Sequence, residues 1–288
     1  MATKKATKTV KKTTVKKPIA AKKSKKVVAK KVTFESVLTS AGKMFKAAKK
    51  PTVGALIAEF IGTFLLVASI IVLGGQTLTI GIAAIGVALI IGGVSGSHFN
   101  PIITIGAWVT RKISSLSAIA YLVAQAIGAT AAYLVISSYI DVAKEVGASS
   151  ASMMLNAAPI TAGKEWYILI AELLGAFILV MGIAKAAKAS KAGYAAIYGV
   201  ATFVALAIAG TLAAIALQNS PYGLMQMGEM LTFLNPAMAF VANAITWDVW
   251  SISIYIVAPV VGGIAAFALS DLLAADTCDC ADVKCNCK

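Results

Sequence analysis

Two short stretches decide the fold: Ser97-His98-Phe99-Asn100-Pro101-Ile102 and Phe233-Leu234-Asn235-Pro236-Ala237-Met238. In each, Asn-Pro stands where a Gly- or turn-rich stretch gives way to an apolar, helical-looking run. Asn is a good N-cap, and Pro suits the first helical position because the N–H it lacks has no partner there anyway. Two such starts in one very hydrophobic chain point to paired helix ends inside a membrane.

The runs that follow them, about 100–110 and 235–245, are apolar but too short to cross a bilayer. Around them lie six longer segments, roughly 52–73, 78–96, 114–137, 165–186, 193–217 and 249–273, each long enough to span a ~30 Å hydrocarbon core. Composition agrees: the chain is 59% hydrophobic and 13% charged, outside the range of an ordinary soluble domain. Non-helical backbone at membrane depth is tolerated only where protein or a water-filled cavity surrounds it. Two short half-helices entering from opposite sides satisfy that condition.

The chain also repeats. Ala58-Glu59-Phe60-Ile61-Gly62-Thr63-Phe64 in the first segment matches Ala171-Glu172-Leu173-Leu174-Gly175-Ala176-Phe177 in the fourth. Ala124-Gln125-Ala126-Ile127-Gly128 is echoed by Ala258-Pro259-Val260-Val261-Gly262. Each repeat, about 52–137 and 165–273, holds three spans. Three is odd, so the second repeat is inverted relative to the first, as in permeation sites built where two repeats meet.

The charge sits elsewhere. Residues 1–50 hold 17 of the 26 Lys and Arg, all Lys, so the net +14 describes a tail and the body is close to neutral. Residues 1–33 read as a low-complexity Lys-rich tract leaning on anionic lipid headgroups. Nucleic acid is set aside as a partner, because a Lys run carries no base-reading chemistry. Residues 34–50 have apolar positions at helical spacing and fit an interfacial amphipathic segment. Arg111, Lys112, Lys185, Lys188 and Lys191 fall on the same side as the tail, against Lys144 and Lys164 opposite, which places both termini in the cytoplasm by the positive-inside rule. Trp166, Trp247 and Trp250 stand at span ends as interface anchors do.

The motif set, including Ser95-Gly96-Ser97-His98-Phe99-Asn100-Pro101, the second Asn-Pro-Ala and the sixth-span Pro-x-x-Gly-Gly, resembles the major intrinsic protein family, the aquaporins and aquaglyceroporins, over residues 53–273. The resemblance implies an all-α channel of six spans and two re-entrant half-helices over 51–275. It further implies a homotetramer with one pore per subunit, conducting water and using no cofactor. No phosphate loop, nucleophile–base pair or proton relay suggests an enzyme.

Within that reading, Asn100, Pro101 and Ile102 with Asn235, Pro236 and Ala237 form the pore motifs. The two Asn amides would hold a water whose hydrogens point outward, and helix N-termini would repel cations. Glu59 and Glu172, costly charges in apolar spans, would satisfy irregular backbone near the half-helices. Gly92, Gly93, Gly96 and the stretch to His98 would lie extended with carbonyls toward the water file, His98 supporting the pore.

The outer filter departs from the family: Met238 stands where relatives carry Arg, and Arg111, the only Arg in the chain, is on the other side. Gap-free alignment outward from each Asn-Pro puts Ile80 and Thr232 at two more filter positions, with Thr211 as the fourth. Ile102 replaces Ala and adds bulk beside Asn100, while Ala239 replaces the Asp of glycerol-passing relatives. Gln218–Met230 reads as an inserted surface loop. A filter with no fixed charge and no aromatic leaves glycerol, urea or another small neutral solute as the alternative to water; a poorly conducting scaffold that uses its Lys-rich tail is a third reading. Cys278, Cys280, Cys285 and Cys287 in the 276–288 tail form two C-x-C pairs that could take zinc or copper(I), accept palmitate, or stay reduced.

Overall fold

The computed structural model describes residues 50–145, 156–217 and 229–275. The Lys-rich tract, nearly all of the 34–50 segment, residues 218–228 of the inserted loop and the four tail cysteines lie outside the described residues. Helices α1 (Val53–Val72), α2 (Thr77–Ser95), α3 (Pro101–Val109) and α4 (Ser115–Glu145) make the first repeat; α5 (Glu165–Ala186), α6 (Lys191–Ala216), α7 (Pro236–Val241), α8 (Val249–Ile252) and α9 (Ala258–Ala275) make the second. A π-helical turn, Ser253–Val257, joins α8 to α9. Among the described residues, six helices are long and apolar enough to span a membrane, the last running Val249–Ala274 through the π turn. At 1.5 Å per residue, the 20 residues of α1 cover about 30 Å.

Two boundaries differ from the sequence reading. Helix α4 continues to Glu145, because Ser137 and Ser138 turn their hydroxyls back onto the carbonyls of Leu134 and Val135 and so stay inside the helix. The sixth span widens just before Pro259, which has no N–H to offer the Tyr255 carbonyl, and the π turn absorbs that lost bond.

The two repeats interlock. α1 packs on α2 and α4 as α5 packs on α6 and α9, while α2 and α6 cross each other. Half-helix α3 lies against α9 of the other repeat, and α7 against α4. The close crossings use small residues, which let backbones approach where lipid offers no hydrophobic drive. A Cβ at Gly128 would stand 2.4 Å from the Phe60 carbonyl oxygen, and one at Gly262 2.4 Å from that of Leu173. The matched glycines of the repeat are therefore its helix-crossing points. Large apolar side chains such as Ile82, Leu89, Ile90, Leu134, Val200, Ile215 and Leu272 face outward, as a lipid-facing belt requires.

The rest of the fold closes the ends. Trp166 and Trp250 meet edge-to-face at 5.1 Å, holding the starts of α5 and α8 together. A two-residue parallel bridge pairs Asn156–Ala157 (β1) with Glu229–Met230 (β2). It ties the α4–α5 connection to the segment leading into α7, a contact no sequence pattern announced.

Candidate permeation site

Each half-helix begins with the same device. Asn100 and Asn235 are extended N-caps whose Oδ1 accepts from the backbone N–H of the N2 residue, Ile102 and Ala237, at 3.0 Å in both cases. Pro101 and Pro236 fill the first helical position. Immediately before each cap stands a non-glycine residue in the left-handed region, Phe99 at φ 49° and Leu234 at φ 50°. Such a conformation costs about 1–3 kcal/mol and persists only where the surroundings over-determine it.

The buried glutamates do that. Glu59 accepts from the N–H groups of His98 at 3.0 Å and Phe99 at 2.7 Å; Glu172 accepts from Phe233 at 2.5 Å and Leu234 at 3.0 Å. Three residues past each Glu, a glycine makes room for the side chain so held: a Cβ would meet the Phe99 ring at 2.2 Å from Gly62 and Leu234 at 2.6 Å from Gly175. The Ala-Glu-x-x-Gly repeat is thus a seat for the left-handed residue that aims each half-helix.

The first repeat carries an extra polar network that the sequence reading did not pick out. Gln125 donates through Nε2 to Glu59 and to the Thr104 hydroxyl, both at 2.8 Å, and that hydroxyl lies 3.0 Å from His98 Nδ1. Through Thr104 the His98 ring joins the same network as Glu59 and Gln125. The second repeat has Pro259, Ala239 and Phe233 in the matching places, so Glu172 holds its two N–H groups without such help.

The caps meet at a small cavity of about 30 Å³, room for one or two waters. Asn100 and Asn235 line it together with Leu66, Ile70 and Ile80 on one repeat and Leu179, Tyr198, Thr202 and Leu206 on the other, Phe233 and Leu234 completing the wall. Asn100 spends one Nδ2 hydrogen on the Leu234 carbonyl at 2.8 Å, a bond that crosses the repeat boundary, and keeps the other. Leu66 and Leu179 each follow their glutamate by two helical turns on the same face, a register the repeat alignment contained.

Several expected positions move. Ile80 lines the cavity, whereas Thr232 and Met238 are buried beside it without lining it. Thr211 is exposed, about two and a half turns past Thr202, and so on the face of α6 opposite the lining residues. Leu206, on the lining face of the same helix, reaches the cavity where Thr211 does not. Ile102 does not crowd the lumen; it is fully buried, with a Cβ at Gly263 of α9 standing 3.6 Å from its own Cβ. Gly92 and Gly93 remain inside α2, and the chain leaves the helix only at Gly96, a left-handed C-cap at φ 93°.

The carbonyls beyond that point are not bare. Ser95, Gly96 and His98 accept hydroxyl hydrogens from Tyr121 at 3.2 Å, Tyr194 at 3.1 Å and Tyr198 at 3.3 Å. A larger, open-sided cavity of about 630 Å³ lies on this side, lined by Ala88, Gly92, Ser97, Lys191 and Tyr194 and bordered by Leu89 and Ile90 of the outward-facing belt.

This geometry agrees with what the chain is similar to. The profile described as Major intrinsic protein matches residues 46–269. Glycerol uptake facilitator protein-like 6 of Lactiplantibacillus plantarum is 32% identical over 222 residues, covering 73% of this chain and 93% of that protein. Aquaporin AqpM of Methanothermobacter marburgensis is 28% identical over 251 residues with the same coverage of each. Among solved structures, the aquaglyceroporin from Plasmodium falciparum superposes with a TM-score of 0.57 at 18% identity, over 78% of this chain and 98% of that one.

Proposed function

Since the chain belongs to the major intrinsic protein family, and is thus an integral, multi-pass passive channel for water or small solutes rather than an enzyme, we propose that water is what it carries fastest. The observation that carries this reading is the cavity of about 30 Å³ between the two Asn caps, which holds a water or two and little else. A water there accepts from both amides and turns its hydrogens outward, so neighbouring waters cannot line up in one direction as a proton wire. The two helix N-termini beside it disfavour cations.

The outer filter in this reading is formed by Ile80 and Leu206, which line the cavity, with Thr232 and Met238 buried behind them, a set with no charge and no aromatic ring. Those residues favour a second reading in which glycerol or another small neutral solute also passes, in keeping with the name of the Lactiplantibacillus relative. The channel works as a homotetramer with both termini in the cytoplasm, the arrangement that the Lys distribution and the family support. The test is stopped-flow shrinkage of proteoliposomes holding the purified chain, first with an impermeant osmolyte and then with glycerol. Faster water flux than in empty vesicles with little glycerol entry is the expected result. Equal glycerol entry would favour the second reading, and no flux of either would leave a membrane scaffold.

Met238→Arg supplies the charge and bulk that relatives place at this position. It should lower glycerol flux by about tenfold, the order one lost steric fit gives, while water flux falls much less. An unchanged solute profile would remove Met238 from the filter.

A further inference from the structure

α2 and α6 cross at a reciprocal contact that relates the two repeats residue by residue. A Cβ at Gly81 would stand 2.8 Å from the Gly199 carbonyl oxygen, and one at Gly199 would stand 2.4 Å from that of Gly81. One turn on, Phe203 packs against Gly81 and Ile85 against Gly199. The inversion therefore maps Gly81 onto Gly199 and Ile85 onto Phe203. It maps Ile80, at the outer filter, onto Tyr198.

Both members of that last pair line the central cavity, Tyr198 on the side of the His98 carbonyl that its hydroxyl reaches. The outer one is aliphatic and the inner one aromatic. Tyr198 is 3% exposed, its hydroxyl is fixed on the His98 carbonyl, and its ring meets Phe99 edge-on at 6.4 Å. One turn nearer the larger cavity, Tyr194 lies 6.2 Å from Tyr198 and is fixed on the Gly96 carbonyl. Tyr194 lines the open-sided cavity of about 630 Å³ and Tyr198 the central one of about 30 Å³, so the paired rings touch both. A phenol anchored at its ring and at its hydroxyl has few rotamers left to yield to a passing solute.

We propose that Tyr198, supported by Tyr194, is the specificity-determining residue of this channel, and that its aromatic constriction lies at the inner mouth of the cavity, at the inverted counterpart of the outer filter. The proposal rests on the channel reading above. It explains how a chain with an uncharged, aliphatic outer filter can still exclude solutes larger than water: an aromatic clamp missing at Ile80 stands at Tyr198 instead. It also changes the inner half of the water path, where two of the carbonyls that would bind water are occupied by phenol hydroxyls.

The experiment compares wild type, Tyr198→Ala, Tyr198→Phe and Ile80→Ala as full chains in proteoliposomes, each checked for monodispersity before reconstitution. Water and glycerol fluxes are read separately. Tyr198→Ala should raise glycerol flux about tenfold or more, as expected when one steric contact in a fitted site is removed. Tyr198→Phe keeps the ring, folds without a cavity and frees the His98 carbonyl. It should keep glycerol out and raise water flux, a separation that a merely structural role would not produce. A larger glycerol gain from Ile80→Ala than from Tyr198→Ala would overturn the proposal by placing the barrier at the outer filter. So would a Tyr198→Phe variant indistinguishable from wild type in water flux. Wild type that passes neither water nor glycerol would instead overturn the channel reading and this inference with it.

Discussion

Glu59 and Glu172 show how much one buried carboxylate can organise. Each sits in an apolar span and is tolerable there because two backbone N–H groups converge on it. What the carboxylate stabilises is the left-handed turn at Phe99 or Leu234, and through it the direction of the half-helix. The two sites are not equally robust. Glu59 shares its load with Gln125, while Glu172 has no such partner in its matching position, which is Pro259. Glu172→Leu strands two buried N–H groups at about 1–3 kcal/mol each, enough to unfold much of a marginal protein. Thermal unfolding in detergent should rank wild type above Glu172→Gln, which keeps one acceptor oxygen, and Glu172→Gln above Glu172→Leu. Gln125→Leu should cost less than Glu172→Leu, and the reverse order would show that the polar network outweighs the direct carboxylate contacts.

At the scale of elements, the repeat is followed where backbone geometry demands it and broken where connections intrude. Tyr121 and Tyr255 occupy matching places in the third helix of each repeat. Tyr121 reaches the Ser95 carbonyl, but the Tyr255 hydroxyl has no partner among the described residues. The reason is local: Met230, which matches Ser95, gives its carbonyl to the N–H of Ala158 as part of the β1–β2 tie. The start of α8 is another element-level device, since Asp248 caps Trp250 and Ser251 and accepts from the Thr246 hydroxyl. The Thr246 hydroxyl, then the Ser251 N–H, hold this carboxyl below the ordinary range. A depressed folded value means the cap's stabilisation is fully present above the unfolded carboxylate value of about 3.9, and is lost as pH falls through the lower folded one. Asp248→Ala should therefore lower the unfolding temperature by a constant amount between about pH 5 and 8, and the gap should close in stronger acid. A gap that widened in acid would contradict the cap. These elements also mark what sequence could reveal. Six spans, two half-helices and both glutamates were legible because lipid solvation and half-helix capping impose period, length and residue type. Leu206 was not, because counting along an extended α6 cannot show which face looks inward. Nor was the β1–β2 tie, which two residues on each side leave without a pattern.

At the scale of the molecule, the repeats are parts of each other rather than two domains. α3 packs on α9 and α7 on α4, so each half-helix finishes its burial against the other repeat. The hydrogen bond from Asn100 to the Leu234 carbonyl crosses the same boundary, and the central cavity takes its wall from both halves. Half-helices of nine and six residues are too short to persist without tertiary contacts. A single repeat would leave its half-helix with unburied backbone at membrane depth, which the bilayer does not tolerate. Residues 1–150 and 151–288 made separately should thus be degraded or aggregate, and neither should raise the water flux of proteoliposomes. Made together from two messages they should co-purify and recover flux, because every contact between the halves is non-covalent. Water flux from either half alone would mean that the pore does not lie between the repeats, and the placement of Tyr198 and Ile80 on its wall would fall with it.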